Sequence, residues 1–219
     1  MIIKNYSKFV KLARNMLLHP RRYFEIVHVI QKLTNATIFQ IGIIGKDLYS
    51  NMNLHEHIKK SHVQCEDQNL IFAGMPESPL LYLLVRILKP DIIVETGVAS
   101  GLTSTFILQA LHDNKKGRLY SIDLSKIDGV AYPKGYFLEG GETGVIPRGG
   151  ESGWMIPLEL RYRWTLISGR TSEKLLPLLE ELEHIDIFLH DSEHSYKNML
   201  FEYQSVLPYI RRGGGNVES

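Results

Sequence analysis

The stretch that most constrains this 219-residue chain is 91–101, DIIVETGVASG. Asp91-Ile92-Ile93-Val94 is a short apolar run rich in β-branched residues, as a strand buried on both faces requires. The run ends in Glu95, and Gly97 and Gly101 then bracket a set of small residues. Beyond them, Leu102, Phe106, Ile107, Ala110 and Leu111 recur at helical spacing and predict a helix over 102–112. Strand, glycine turn and helix in succession form a βα unit of the nucleotide-binding kind. Small residues let the backbone approach a ligand, and the start of the helix offers free N–H groups. The pattern continues into a second strand, 117–123, that closes on a carboxylate. Asp123 lies about 20 residues beyond the glycines, where dinucleotide folds place the acid that binds ribose hydroxyls.

Two more strands follow. Trp164-Thr165-Leu166-Ile167-Ser168 is the third, with Gly169-Arg170-Thr171 leaving its end. Ile185-Asp186-Ile187-Phe188-Leu189 is the fourth, and it delivers His190-Asp191-Ser192-Glu193-His194-Ser195-Tyr196 to its C-terminal edge. Open α/β sheets bind ligands at that edge. The expected fold class is therefore α/β: a Rossmann-like parallel sheet flanked by helices, with strands near 92–95, 118–122, 164–168 and 185–190. Residues 1–70 are expected to form a helical N-terminal arm and 71–219 the cofactor-binding domain. A glycine- and proline-rich insertion near 124–163 reads either as a lid or as a surface excursion, since long loops in compact domains have one of those fates. Tyr132, Tyr136, Phe137, Trp154 and Met155 give it apolar surface.

VETGVASG resembles motif I of class I S-adenosylmethionine-dependent methyltransferases, with Ala99 in place of the middle glycine. The run from Asp191 to Tyr196 resembles the Asp-x-x-His-x-Tyr signature of small-molecule and sugar O-methyltransferases of that class. The resemblance implies S-adenosylmethionine as cofactor and a small molecule or sugar as substrate. It implies that Glu95, Thr96, Gly97, Ala99 and Gly101 line the methionine side, and that Ser168, Gly169 and Thr171 lie by the adenine. Thr171 reads equally well as a helix cap. Glu77 or Ser78, upstream of the first domain helix, would help close the site. A hydroxyl gives up its proton more readily to a positioned base, and histidine titrates in the useful range, so His194 is the expected base. Asp191 is expected either to ligate a divalent cation such as Mg2+ or to orient the acceptor. The competing reading has Asp191 and Ser192 merely capping a helix that starts near Glu193.

Metal-dependent relatives carry an acidic pair at the end of a fifth strand. This sequence reaches Arg211-Arg212-Gly213-Gly214-Gly215 and stops at Ser219 without one, so it reads as truncated. The fourth strand would then be an exposed edge, and edges invite pairing. Poor solubility, a homodimer through that edge, or incomplete activity is the expectation.

Composition narrows the alternatives. A net charge of +1 argues against a dedicated nucleic-acid binder. The single cysteine, Cys65, excludes an internal disulfide, and the cytoplasm is the natural compartment. No apolar run is long enough to span a bilayer. Residues 1–33 carry Lys4, Lys8, Lys11, Arg14, Arg21 and Arg22 against Glu25 alone. They read as one or two helices broken near Pro20, packing on the domain or a second subunit, or else touching a membrane surface weakly. Phe39 to Gly45 reads as a short strand or buried turn. His55, His57 and His62 read as surface or packing histidines rather than ligands. Two rival functions stand: a nicotinamide-dependent oxidoreductase, which lacks a Tyr-x-x-x-Lys pair here, and a non-catalytic binding module.

Overall fold

The structure, a computed structural model, describes residues 20–68, 78–124, 146–147 and 150–211. Among the described residues three helices come first: α1 (Pro20–Thr34), α2 (Ile38–Ser50) and α3 (Met52–Asp67). Helix α1 opens on Pro20, the residue expected to interrupt the arm. Proline suits a first helical turn because its missing N–H is not needed there. The stretch Phe39 to Gly45 is not a strand; it lies inside α2. The deciding signal is a capping box: the Thr37 side chain accepts from Gln40 N, and the Gln40 side chain accepts from Thr37 N at 2.8 Å. That pair satisfies two helix-end donors reciprocally.

The domain proper alternates strand and helix: α4 (Ser78–Leu88), β1 (Ile92–Thr96), α5 (Leu102–Asn114), β2 (Arg118–Asp123), β3 (Trp164–Ser168), α6 (Thr171–Leu182), β4 (Ile187–His190) and α7 (Tyr196–Val206). The four strands are parallel and ordered β3-β2-β1-β4. All four lie where the sequence places them. Because β1 sits between β2 and β4, the ends of these three strands meet on one edge. Thr96 pairs with Ile122 on one side and with His190 on the other, and Asp123 pairs with Ser168.

Successive strand residues face opposite sides of the sheet. Ile93, Leu119, Ile187 and Leu189 pack into the larger core with α4, α5 and the N-terminal helices. Val94 and Ile122 pack into a second core with Leu175, Leu178 and Leu179 of α6 and Val206 of α7. The same alternation sends Glu95 and Ser121 to the α5 side and Thr96 and His190 to the α7 side. Beyond β4, Ile185 forms a parallel bridge with Ile210, through Ile185 N to Tyr209 O and Arg211 N to Ile185 O. This single bridge lies outside the four strands.

Of the insertion, residues 124, 146–147 and 150–163 are described, and 150–163 are docked on the domain. Met155, Ile156 and Leu160 are buried in the larger core, and a 3-10 turn (Leu158–Arg163) leads into β3. Met155 is therefore core, not the inner surface of a lid. Tyr132, Tyr136, Phe137, Glu77, the basic residues before Pro20 and the glycines after Arg212 lie outside the described residues. Among the described residues, no helix is long and apolar enough to cross a membrane.

Candidate functional site

The loop between β1 and α5 sits in two grips. Gly97 has φ +86°, and a Cβ there would lie 2.1 Å from Asp191 O. Gly101 also has φ +86°, and its Cβ would lie 2.7 Å from Gly153 Cα. So both glycines admit another part of the protein: the β4 exit at one end, the docked insertion at the other. Gly153 N and Met155 N donate to Ala99 O and Ser100 O, which fixes the insertion on the loop. His57 of α3 reaches the same segment, its Nε2 lying 2.6 Å from Met155 O. Ala99, where motif I would have its middle glycine, is held at φ +50°. A left-handed residue with a Cβ costs roughly 1–2 kcal/mol.

Asp123 closes β2 beside this loop. Its Oδ2 accepts from Val98 N at 3.2 Å and Ala99 N at 2.9 Å, and its Oδ1 from Leu124 N at 2.7 Å. Gly169 N donates to Asp123 O at 2.9 Å, so Ser168 and Gly169 flank the carboxylate. Thr171 stands apart from them. It is the first residue of α6 rather than its cap, and its Oγ1 lies 3.1 Å from Asn198 Oδ1 of α7.

Glu95 and Thr96 do not present their side chains at the edge. Glu95 is buried on the α5 side, where its Oε1 accepts from Ser104 Oγ and Ser121 Oγ, both at 2.6 Å. Trp164 Nε1 donates in turn to Ser121 Oγ at 2.8 Å. Burial pushes the Glu95 carboxyl up to about 7, partly offset by the two seryl donors and aided by Asp123 and Asp191. The native state thus holds this proton above the ordinary value of 4.5, at which the unfolded chain releases it. The stabilisation is whole below that value and is lost as pH rises through about 7. Glu95→Gln should therefore flatten the decline in the urea midpoint across that window, compared with the parent chain. An unchanged slope would mean that Glu95 is ionised throughout.

On the opposite side, Thr96 Oγ1 donates to Glu202 Oε2 at 2.7 Å. Glu202 is fully buried on α7 and takes three more hydrogen bonds: from His190 Nδ1 at 2.6 Å, Ser192 Oγ at 2.7 Å and Asn198 Nδ2 at 2.9 Å. Burial pushes its carboxyl up, but the four donors outweigh burial and hold it below the ordinary carboxylate range. Neither Glu202 nor His190 is assigned a role by the sequence reading. The signal for Glu202 is an acid on the stripe of α7 that also buries Val206.

Asp191 N donates to Thr96 O at 2.8 Å, which ties the β4 exit to β1. Its carboxylate is about one-third exposed and lies 3.8 Å from His194 Nε2. Burial pushes that carboxyl up against the lowering effect of His194 and His190. His194 Nδ1 lies 3.2 Å from His190 Nε2, the rings edge to face. Neither Asp191 nor Ser192 caps α7. The helix starts at Tyr196, and Ser195 caps it by accepting from Asn198 N at 3.3 Å.

Gly97, Ala99, Gly101, Asp123, Ser168, Gly169, Asp191 and His194 thus converge at the C-terminal ends of adjacent strands. Glu95 and Thr96 lie directly beneath. Among the described residues, no three His, Cys, Asp or Glu side chains group as metal ligands. Asp191 is therefore not part of a three-ligand cluster among the described residues.

A family model described as a methyltransferase domain matches residues 94–216. No curated protein matches the chain. Among solved structures, the O-methyltransferase TomG from Streptomyces achromogenes, in complex with SAM, is 21% identical, with a TM-score of 0.50 over 72% of this chain and 62% of that one. Cofactor-bound Rv0187 from MTB is 15% identical, with the same TM-score and the same coverage of both chains. At these identities the likeness is one of fold, and this chain spans just under two-thirds of either protein's length.

Proposed function

The chain belongs to the methyltransferase-domain family, and on that premise we propose that it transfers the methyl group of S-adenosylmethionine to an oxygen of a small molecule or sugar. The observation that carries this reading is the junction at Gly97, where the Asp123-braced loop meets the backbone of Asp191 three residues before His194. The glycine loop and the segment that carries the base are thereby held against each other, with Asp191 N bonded to Thr96 O as well.

The donors present fit the cofactor. Asp123 retains lone pairs toward ribose hydroxyls, and Ser168 and Gly169 adjoin it. Ser152 Oγ, which precedes the loop-bound Gly153, is the one buried side-chain polar atom without a partner among the described residues. Buried polar groups ordinarily find one, so it is free to meet a polar ligand group. Asp123 lies close enough to raise the carboxyls of both Glu95 and Asp191, an acidic setting that favours a cation such as a sulfonium. When bound, the cofactor supplies a methyl group already made electrophilic by its sulfonium sulfur. The chain's own task is to align the acceptor and remove its proton. His194 takes that proton, and Asp191 stands where the resulting imidazolium would be stabilised.

The same geometry disfavours a dinucleotide. A pyrophosphate would need the N–H groups of Val98 and Ala99, which already serve Asp123. Calorimetry should therefore register S-adenosylmethionine and not NAD, and an acceptor panel of phenols and sugars should yield a methyl ether. NAD binding in its place would overturn the assignment. S-adenosylmethionine binding without methylation of any acceptor would reduce the chain to a binding module.

A further inference from the structure

We propose that Glu202 and His190 are positioning residues that set the tautomer of His194, through a relay running from the buried layer to the sheet edge. The inference rests on the reading of His194 as the base. Its starting point is a count of donors. Thr96 Oγ1, Ser192 Oγ, Asn198 Nδ2 and His190 Nδ1 all converge on the two oxygens of Glu202. An ionised carboxylate accepts from all four at once, and these hydrogen bonds hold Glu202 below the ordinary carboxylate range, in that form. His190 Nδ1 therefore carries a hydrogen.

The next link follows from imidazole chemistry. A neutral ring has one N–H and one bare nitrogen, so neutral His190 exposes a bare Nε2. That atom lies 3.2 Å from His194 Nδ1, which must then carry the hydrogen between them. Neutral His194 is left with its lone pair on Nε2, the nitrogen beside Asp191 Oδ1. When the acceptor hydroxyl gives up its proton, the proton goes to Nε2 and the O–H electron pair stays on oxygen for attack on the methyl carbon. The new Nε2–H then faces Asp191, while Nδ1–H stays on His190. In the other tautomer the lone pair would be spent on His190 and the outer nitrogen could not act as a base.

This assigns reasons to features that otherwise have none. A buried carboxylate under an active edge is costly unless paired and hydrogen-bonded. A histidine whose side chain is 4% exposed at the end of β4 is an unusual choice for packing alone. The remaining neighbours of the pair are Tyr203, whose ring stacks obliquely on His190 with centroids 5.8 Å apart, and Asp191.

The test begins with the intact protein and needs no turnover. Long-range 15N–1H correlation spectra, recorded at a pH where the ring 15N shifts themselves show both imidazoles neutral, should show Nδ1–H tautomers for both residues. The resonances are assigned by their loss in His190→Asn and His194→Ala. An Nε2–H tautomer for His194 would overturn the relay whether or not the protein methylates anything. His190→Asn retains a donor toward Glu202 but not the acceptor for His194. It should mix the His194 tautomers and lower kcat about tenfold with KM for the cofactor unchanged. In a His194→Ala background the same change should cost nothing further, since the two act as one unit. Additive losses would mean that His190 acts independently of His194. Were no acceptor methylated by the parent chain, the proposed function would fail while the tautomer result stood or fell by itself.

Discussion

His194→Ala should lower kcat for methyl transfer by roughly 100- to 10,000-fold, the usual contribution of a positioned general base. Affinity for S-adenosylmethionine should stay the same, because the residue lies on the acceptor side of the loop. The structure makes the experiment interpretable. The side chain is 66% exposed, and its hydrogen-bonded or ionic neighbours are His190 and Asp191. Nothing in either core leans on it, so loss of the imidazole should leave the fold and the cofactor crevice standing. Single-turnover rates with saturating cofactor, beside calorimetric titration of the same sample, separate the two quantities. Full activity would remove His194 from the mechanism. A parallel loss of cofactor affinity would place it on the cofactor instead.

Among the described glycines, Gly97→Ala should be the most damaging single added methyl group. Two costs coincide there. The backbone is left-handed at φ +86°, which penalises any residue with a Cβ by roughly 1–2 kcal/mol. The added carbon would also stand 2.1 Å from Asp191 O and 2.8 Å from Ser192 N, both backbone atoms with no rotamer to turn aside. Overpacking of this kind adds about 1–3 kcal/mol. The loop and the β4 exit must separate, so stability, cofactor affinity and turnover should fall together. Chemical denaturation and calorimetry on the variant check this. Wild-type affinity would mean that the two loops are not in register in solution. Gly101→Ala meets Gly153 at the other end and should weaken the insertion's hold on Ala99 and Ser100 more than the catalytic edge.

The two substitutions show why some of the site was legible in the chain and some was not. Asp123 is visible because it ends β2, and His194 because it follows the end of β4 by four residues; strands announce themselves through local apolar runs. Glu95 and Thr96 are adjacent in sequence and look equivalent there. The pleat sends them to opposite layers, one to Ser104 and Ser121, the other to Glu202. Glu202 is invisible as part of the site because its partners, Thr96 and His190, are separated from it by 106 and 12 residues. The capping box that makes α2 a helix was legible in Thr37 and Gln40, but the run of isoleucines between Phe39 and Gly45 speaks more loudly for a strand.

By itself the sequence determined the order of strands and helices from residue 78 onward, the parallel sheet, the glycine turn, the acid that ends β2 and the histidine just past β4. Those follow from periodicities of two and 3.6 residues and from backbone freedom at glycine, all of them short-range. Tertiary structure alone decided which carboxylates are buried, which side chains meet the two imidazoles, and that the glycines admit neighbouring backbone at Asp191 and Gly153. Those depend on desolvation and on contacts between groups distant in the chain, and no local pattern encodes either.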